Sequence, residues 1–107
     1  MPRISRNSLT STYYHAIVQG INRELIFKEE KDKETYKQII KNKLNNERIT
    51  ILGYCIMSNH AHFIINSESV EDMSKYMHKI NVIYAMYYNK KNSRVGYVFR
   101  NRYYTKL

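Results

Sequence analysis

From residue 60 to 66 the chain alternates strictly. Ala61, Phe63 and Ile65 fall on one side of an extended strand, and His60, His62 and Ile64 on the other. Just upstream, residues 49–57 (ITILGYCIM) form a nearly continuous apolar run of strand length, which predicts a central strand buried on both faces. Only Ser58 and Asn59 separate the two, so they read as an antiparallel hairpin. Residues 13–19 (YYHAIVQ) are rich in aromatic and β-branched side chains and predict a first strand ending at Gly20. A basic, polar turn follows, Gly20-Ile21-Asn22-Arg23. Elsewhere the period changes to that of a helix. Tyr36, Ile39, Ile40, Lys43 and Leu44 share one face, in a helix that Asp32 would cap and that would run to about residue 46. Ser69, with Asp72 three positions on, makes a capping-box-like start to a second helix, and Glu71 and Asp72 suit the positive end of its dipole. Met73, Tyr76, Met77, Ile80, Tyr84 and Tyr87 mark its apolar stripe to about residue 89, a pattern of core packing rather than of a cofactor box. Lys90, Lys91, Asn92 and Gly96 end it, and residues 98–105 predict a last strand.

The predicted order is strand, helix, strand, strand, helix, strand, with no linker and no repeat. This is the split βαβ pattern of an α+β protein, in which an antiparallel sheet carries its helices on one face. The other face is left open. A chain of 107 residues holds one such domain and one core. With 43% hydrophobic residues, 11 Tyr among them, it can fold without help. Cys55 is the lone cysteine, which excludes an internal disulfide and predicts a small apolar side chain buried in its strand. No apolar run approaches the ~20 residues of a membrane span, and the N-terminus lacks a signal-peptide core. A soluble, cytoplasmic protein is expected.

Charge narrows the partner. Eighteen Lys and Arg against nine Asp and Glu give a net charge of +9, a footprint for a polyanion such as nucleic acid. From Arg94 to Leu107 there are Arg94, Arg100, Arg102 and Lys106 and no acid, interleaved with Tyr97, Phe99, Tyr103 and Tyr104. Cations there can meet phosphates while rings offer faces to unpaired bases, although the same alternation also suits an ordinary half-buried strand.

The open face is where chemistry is expected. His60 and His62, two apart on a strand, project to one side with Cα atoms roughly 6–7 Å apart. Two neutral imidazoles so placed can share a divalent ion and leave positions for water or phosphate oxygens. They could equally be solvent-facing residues, or core histidines satisfied by backbone. A structural zinc fully held by protein is disfavoured, because there is one thiol and the other histidines sit on other elements. His15 could line the site, although a structural role is the stronger reading. His78 is expected to face solvent.

Four stretches carry a resemblance. Tyr14-His15-Ala16-Ile17-Val18-Gln19-Gly20-Ile21-Asn22-Arg23, continued by Ile26-Phe27, resembles the opening strand and turn of IS200-like tyrosine transposases and their relatives associated with repetitive palindromes. Gly53-Tyr54-Cys55-Ile56-Met57-Ser58-Asn59-His60-Ala61-His62-Phe63-Ile64-Ile65 is similar to the central histidine–hydrophobic–histidine signature of that family. Residues 84–91 (YAMYYNKK) and 96–103 (GYVFRNRY) follow its later pattern. The resemblance implies a ferredoxin-like fold, usually dimeric, that recognises hairpins in single-stranded DNA. It implies Mg²⁺ or Mn²⁺ on His60 and His62, and a tyrosine that attacks the scissile phosphate. The products would be a 5′-phosphotyrosine and a free 3′-hydroxyl. A covalent intermediate of this kind conserves the phosphodiester bond energy, so rejoining needs no ATP. Arg23, Arg100 and Arg102 become the expected DNA contacts.

One departure bears on activity. In the family the nucleophilic tyrosine, usually with a third polar metal ligand, lies on a helix after the last matched strand. This sequence stops at Leu107, and none of its tyrosines occupies that position. The expectation is therefore a metal half-site whose nucleophile lies beyond these residues. Two other classes compete: a non-catalytic single-stranded nucleic-acid-binding module, and a metal-dependent phosphodiesterase using activated water. The second lacks an evident carboxylate cluster.

Overall fold

In the computed structural model, residues 12–44, 48–100 and 103–107 are described. The elements are β1 (Thr12–Gln19), α1 (Glu30–Asn42), β2 (Ile49–Ile56), β3 (His60–Ser67), α2 (Val70–Lys91) and β4 (Tyr103–Lys106), with a short 3₁₀ turn at Ile21–Arg23 after β1. All three strand pairings are antiparallel, in the order β2-β3-β1-β4. This is the predicted α+β, ferredoxin-like split βαβ arrangement.

Alternation decides which side of the sheet is covered. On β3, Ala61, Phe63 and Ile65 are buried while His60, His62 and Ile64 are only half-buried. On β1, Ala16 and Val18 take the buried side. They pack with Tyr36 and Ile40 of α1 and with Met73, Met77, Ile80 and Tyr84 of α2. The Ser69 hydroxyl accepts the Asp72 amide at 3.1 Å, so α2 starts where its capping pair predicts. Its stripe tyrosines are anchored as well as buried. The hydroxyls of Tyr76 and Tyr84 donate to the carbonyls of Ile40 and Ile26.

Five expectations change. The run 49–57 is not a central strand: β2 lies at the sheet edge, and most of its side chains are exposed. β3 occupies the inner position instead. A slip in register between Ile51 and Gly53 breaks the alternation of β2, and Leu52 and Tyr54 are exposed. Cys55 is accordingly exposed rather than buried. Asp32 does not cap α1. Glu29 is the cap, and Asp32 sits in the first turn, its carboxylate accepting the Glu29 amide at 3.2 Å. It also binds Lys91 Nζ at 2.7 Å and the Tyr87 hydroxyl at 2.9 Å, which ties α1 to the end of α2. α1 ends at Asn42, and Lys43 is exposed. β4 is shorter than expected, because the backbone of residues 98–100 meets the end of β1 through the isolated Gly20–Phe99 bridge and its neighbouring bonds rather than through a ladder.

Gly20 makes the turn after β1 possible. A Cβ there would stand 2.3 Å from the Glu24 carbonyl oxygen, far inside van der Waals contact. The Gly20 amide donates to Asn59 O at 2.9 Å, and the Ile21 amide to Val98 O at 2.9 Å. The end of β1, the 58–59 turn and the 96–100 segment are thereby drawn together.

Candidate metal and nucleic-acid site

Register places the histidines. In an antiparallel pair, opposed residues share a face. Ile17 opposes His62, Gln19 opposes His60 and His15 opposes Ile64, so His15 joins the His60/His62 face one diagonal step away. His15 Nε2 lies 3.0 Å from His62 Nδ1, and the two rings stack with centroids 5.2 Å apart. The rings of His60 and His62 meet edge to face at 4.9 Å.

Hydrogen bonds then decide which nitrogens are free. His60 Nδ1 is 2.7 Å from Asn59 Oδ1, an atom that can only accept. With the Asn59 amide in this orientation, the His60 tautomer that donates from Nδ1 carries its lone pair on Nε2. For His62, the tautomer that donates from Nδ1 to His15 leaves its Nε2 in the same state. Burial, followed by the neighbouring charges of His60 and His15, holds His62 below the ordinary imidazole pKa. The ring is thus neutral near pH 7, the form that binds a cation. Two imidazoles, each with one nitrogen supported and one free, fit the donor set of an open divalent-metal site. Among the described residues no group of three or more His, Cys, Asp or Glu could hold an ion. The remaining positions would go to water or substrate oxygens.

The sequence singled out both ligand candidates but not their supports. A structural role is the stronger sequence reading of His15, and the structure gives it a direct contact with His62. Asn59 enters the sequence reading as the asparagine preceding the paired-histidine signature, with no contact assigned to it. Its position beside His60 is the one signal that was available.

Of the expected DNA contacts, Arg23 and Arg100 are exposed near the end of β1, and Arg102 lies outside the described residues. Arg100 is oriented by Gln19: its backbone amide donates to Gln19 O at 3.0 Å and its Nη1 to Gln19 Oε1 at 3.1 Å. Gln19 opposes His60, so this guanidinium is anchored next to the imidazole pair. Arg94 is differently placed, bound to Glu24 at 2.8 Å. His78 is exposed on α2, as expected.

The tyrosines of α2 do not reach this chemistry. The hydroxyls of Tyr87 and Tyr88 donate to Asp32 and Glu24. Burial raises the pKa of Tyr76 and Tyr84 well above the ordinary phenol value, and that of Tyr88 to about 12, where the Glu24 carboxylate adds to the effect. A phenol so held is a poor source of phenolate.

The class is thus an α+β domain whose open antiparallel sheet, backed by two helices, carries paired imidazoles on its bare side and an arginine anchored at the end of β1. The family model for IS200-like transposases matches residues 8–106, and the chain belongs to that family. No curated protein sequence matches it. Among solved structures, the chain is similar to a protein assigned as a transposase from Deinococcus radiodurans R1. The TM-score is 0.69 at 11% identity, over 91% of this chain and 79% of that one. It is also similar to a REP-associated tyrosine transposase bound to a REP hairpin, with a TM-score of 0.63 at 9% identity. That match covers 90% of this chain and 56% of the other, so the chain spans little more than half of that relative. At such identities the likeness is one of fold. Among the described residues no helix is long and apolar enough to cross a membrane.

Proposed function

We propose that this chain is the DNA-handling core of an IS200-like transposase. It binds hairpin-bearing single-stranded DNA across the open face of the sheet and holds Mg²⁺ or Mn²⁺ on His60 and His62. The observation that carries the reading is the support of each imidazole at Nδ1, by Asn59 and by His15, which leaves both Nε2 atoms free on one face. When bound, the ion supplies charge stabilisation at a scissile phosphate. The protein's own part is to hold the DNA in register. Arg100, fixed by Gln19, and Arg23 meet phosphates, and a net charge of +9 draws the strand in. The relative bound to a REP hairpin supports hairpin DNA as the ligand class.

Cleavage and rejoining through a 5′-phosphotyrosine would need a tyrosine that can ionise near the two histidines. Those of α2 are unsuited, and this reading leaves the nucleophile unassigned. A homodimer is part of the same reading, supported by the uncharged β2 edge with Leu52, Tyr54 and Met57 exposed. A second reading, a binding module without catalysis, draws support from the two-histidine donor set.

The test uses end-labelled single-stranded hairpin oligonucleotides with and without Mn²⁺, resolved on native and denaturing gels. A native shift without a denaturant-resistant adduct is the expected result. Absence of any shift would refute the DNA-handling role. An adduct lost in His60→Ala/His62→Ala would put the nucleophile within this chain.

A further inference from the structure

Between α2 and the 96–100 segment lies a cavity of about 770 Å³, within the size range of small-ligand sites. Val82, Ala85 and Val98 give it apolar walls, Tyr97 and Phe99 line it with rings, and Arg100 stands among its lining residues. Asn81 lines it from the buried side of α2, only 6% exposed. Its Oδ1 accepts the Tyr36 hydroxyl at 2.7 Å, whereas Nδ2 is buried with no hydrogen-bond partner among the described residues. Turning the amide over would not cure this, because the Tyr36 proton and Asn81 Oδ1 would then both lose their partner. A buried donor left unsatisfied costs on the order of 1–3 kcal/mol, and this one lies beneath the cavity surface.

We propose that this cavity captures an unpaired nucleobase of the bound DNA. The inference rests on the DNA-handling reading above and adds a second site to it. Three features select that ligand. Tyr97 is 82% exposed next to Gly96, whose φ of +96° turns the chain sharply there, so its ring is open to stacking. The apolar walls suit a flat heterocycle. Arg100 answers the attached phosphate. Location agrees as well: Arg100 is bonded to Gln19, and Gln19 opposes His60. A strand lying over the imidazole pair can therefore place a neighbouring base in the cavity.

The experiment is fluorescence anisotropy with hairpin oligonucleotides in which each unpaired flanking position in turn is made abasic. The variants are Tyr97→Ala and Val82→Trp. Both positions are exposed, so the core and the Tyr36–Asn81 bond stay intact, and circular dichroism checks the fold. For the unaltered protein, one abasic position is expected to weaken binding about 5- to 100-fold, the range for loss of one base–aromatic stack. Tyr97→Ala and Val82→Trp should weaken binding of the complete oligonucleotide comparably and be insensitive to that abasic position. His60→Ala/His62→Ala should keep the sensitivity. Unchanged affinity of both cavity variants, with the unaltered protein binding normally, would overturn the cavity and leave the proposed function standing. No binding of any oligonucleotide by the unaltered protein would overturn both.

Discussion

Removing His15 should weaken the metal site without touching a ligand. In His15→Ala, His62 loses a hydrogen bond of 3.0 Å at Nδ1 and a ring stacked at 5.2 Å. Both contacts act on the side of the imidazole opposite the free nitrogen. Without them the ring can rotate, and the tautomer with its proton on Nε2, which cannot bind a cation at that nitrogen, becomes accessible. Loss of such an outer partner typically costs 10- to 100-fold in metal affinity, about 1.4–2.7 kcal/mol at 1.36 kcal/mol per decade. Calorimetric titration with Mn²⁺ near pH 7 reads this directly. Asn59→Ala should lose a similar factor, since the 2.7 Å bond to His60 does the same work. His78→Ala, on the exposed side of α2, should lose nothing. Wild-type Mn²⁺ affinity in a folded His15→Ala protein would refute the reasoning. A loss as complete as that of His62→Ala would instead make His15 a ligand.

Three further outcomes follow from the packing. The Asp32 carboxyl is raised by burial, but hydrogen bonds from Lys91, Tyr87 and the Glu29 amide bring its pKa below the ordinary value. A depressed folded-state pKa adds stability above the usual carboxylate range and loses it as pH falls through the folded value. Urea midpoints of wild type and Asp32→Asn should therefore differ most near neutrality and converge below about pH 4. Phe63→Ala, which empties a fully buried position of the central strand β3, should cost about 3–5 kcal/mol in chemical denaturation. A loss under about 1 kcal/mol would contradict the core described here. Leu52→Lys, on the exposed β2 edge, should leave stability within about 0.5 kcal/mol while shifting any dimer to monomer in light scattering. An unchanged dimer would place its interface elsewhere.

The parts of the fold legible in the sequence were those with a local cause. Period-two alternation at 60–66 set both faces of β3, and Ser69 with Asp72 set the start of α2. The misread parts had distant causes. A continuous apolar run such as ITILGYCI fits a strand buried on both faces and equally an edge strand whose register slips. What separates the two is which strand pairs beside it, and that depends on β1, over thirty residues away in sequence. Asp32 looked like a cap because its partners could not be seen. Lys91 holds it from 59 positions away, and the cap passes to Glu29, a residue type with little preference for that place.

The site divides along the same line. His60 and His62 could be found because strand geometry alone puts them on one side. What makes them a pair of matched donors is the second contact each makes, and only one of those is local. Asn59 is adjacent to His60. His15 reaches His62 because β1 pairs antiparallel with β3 in a register where Ile17 opposes His62 and the diagonal neighbour is His15. A shift of that register by one residue would turn His15 to the helix side and leave His62 Nδ1 without this support. The same register sets Gln19 against His60 and, through Gln19, fixes Arg100. In the proposed function, metal support by His15 and phosphate contact by Arg100 therefore depend on a single strand pairing. A substitution that shifts it, even one remote from every histidine, should weaken both together.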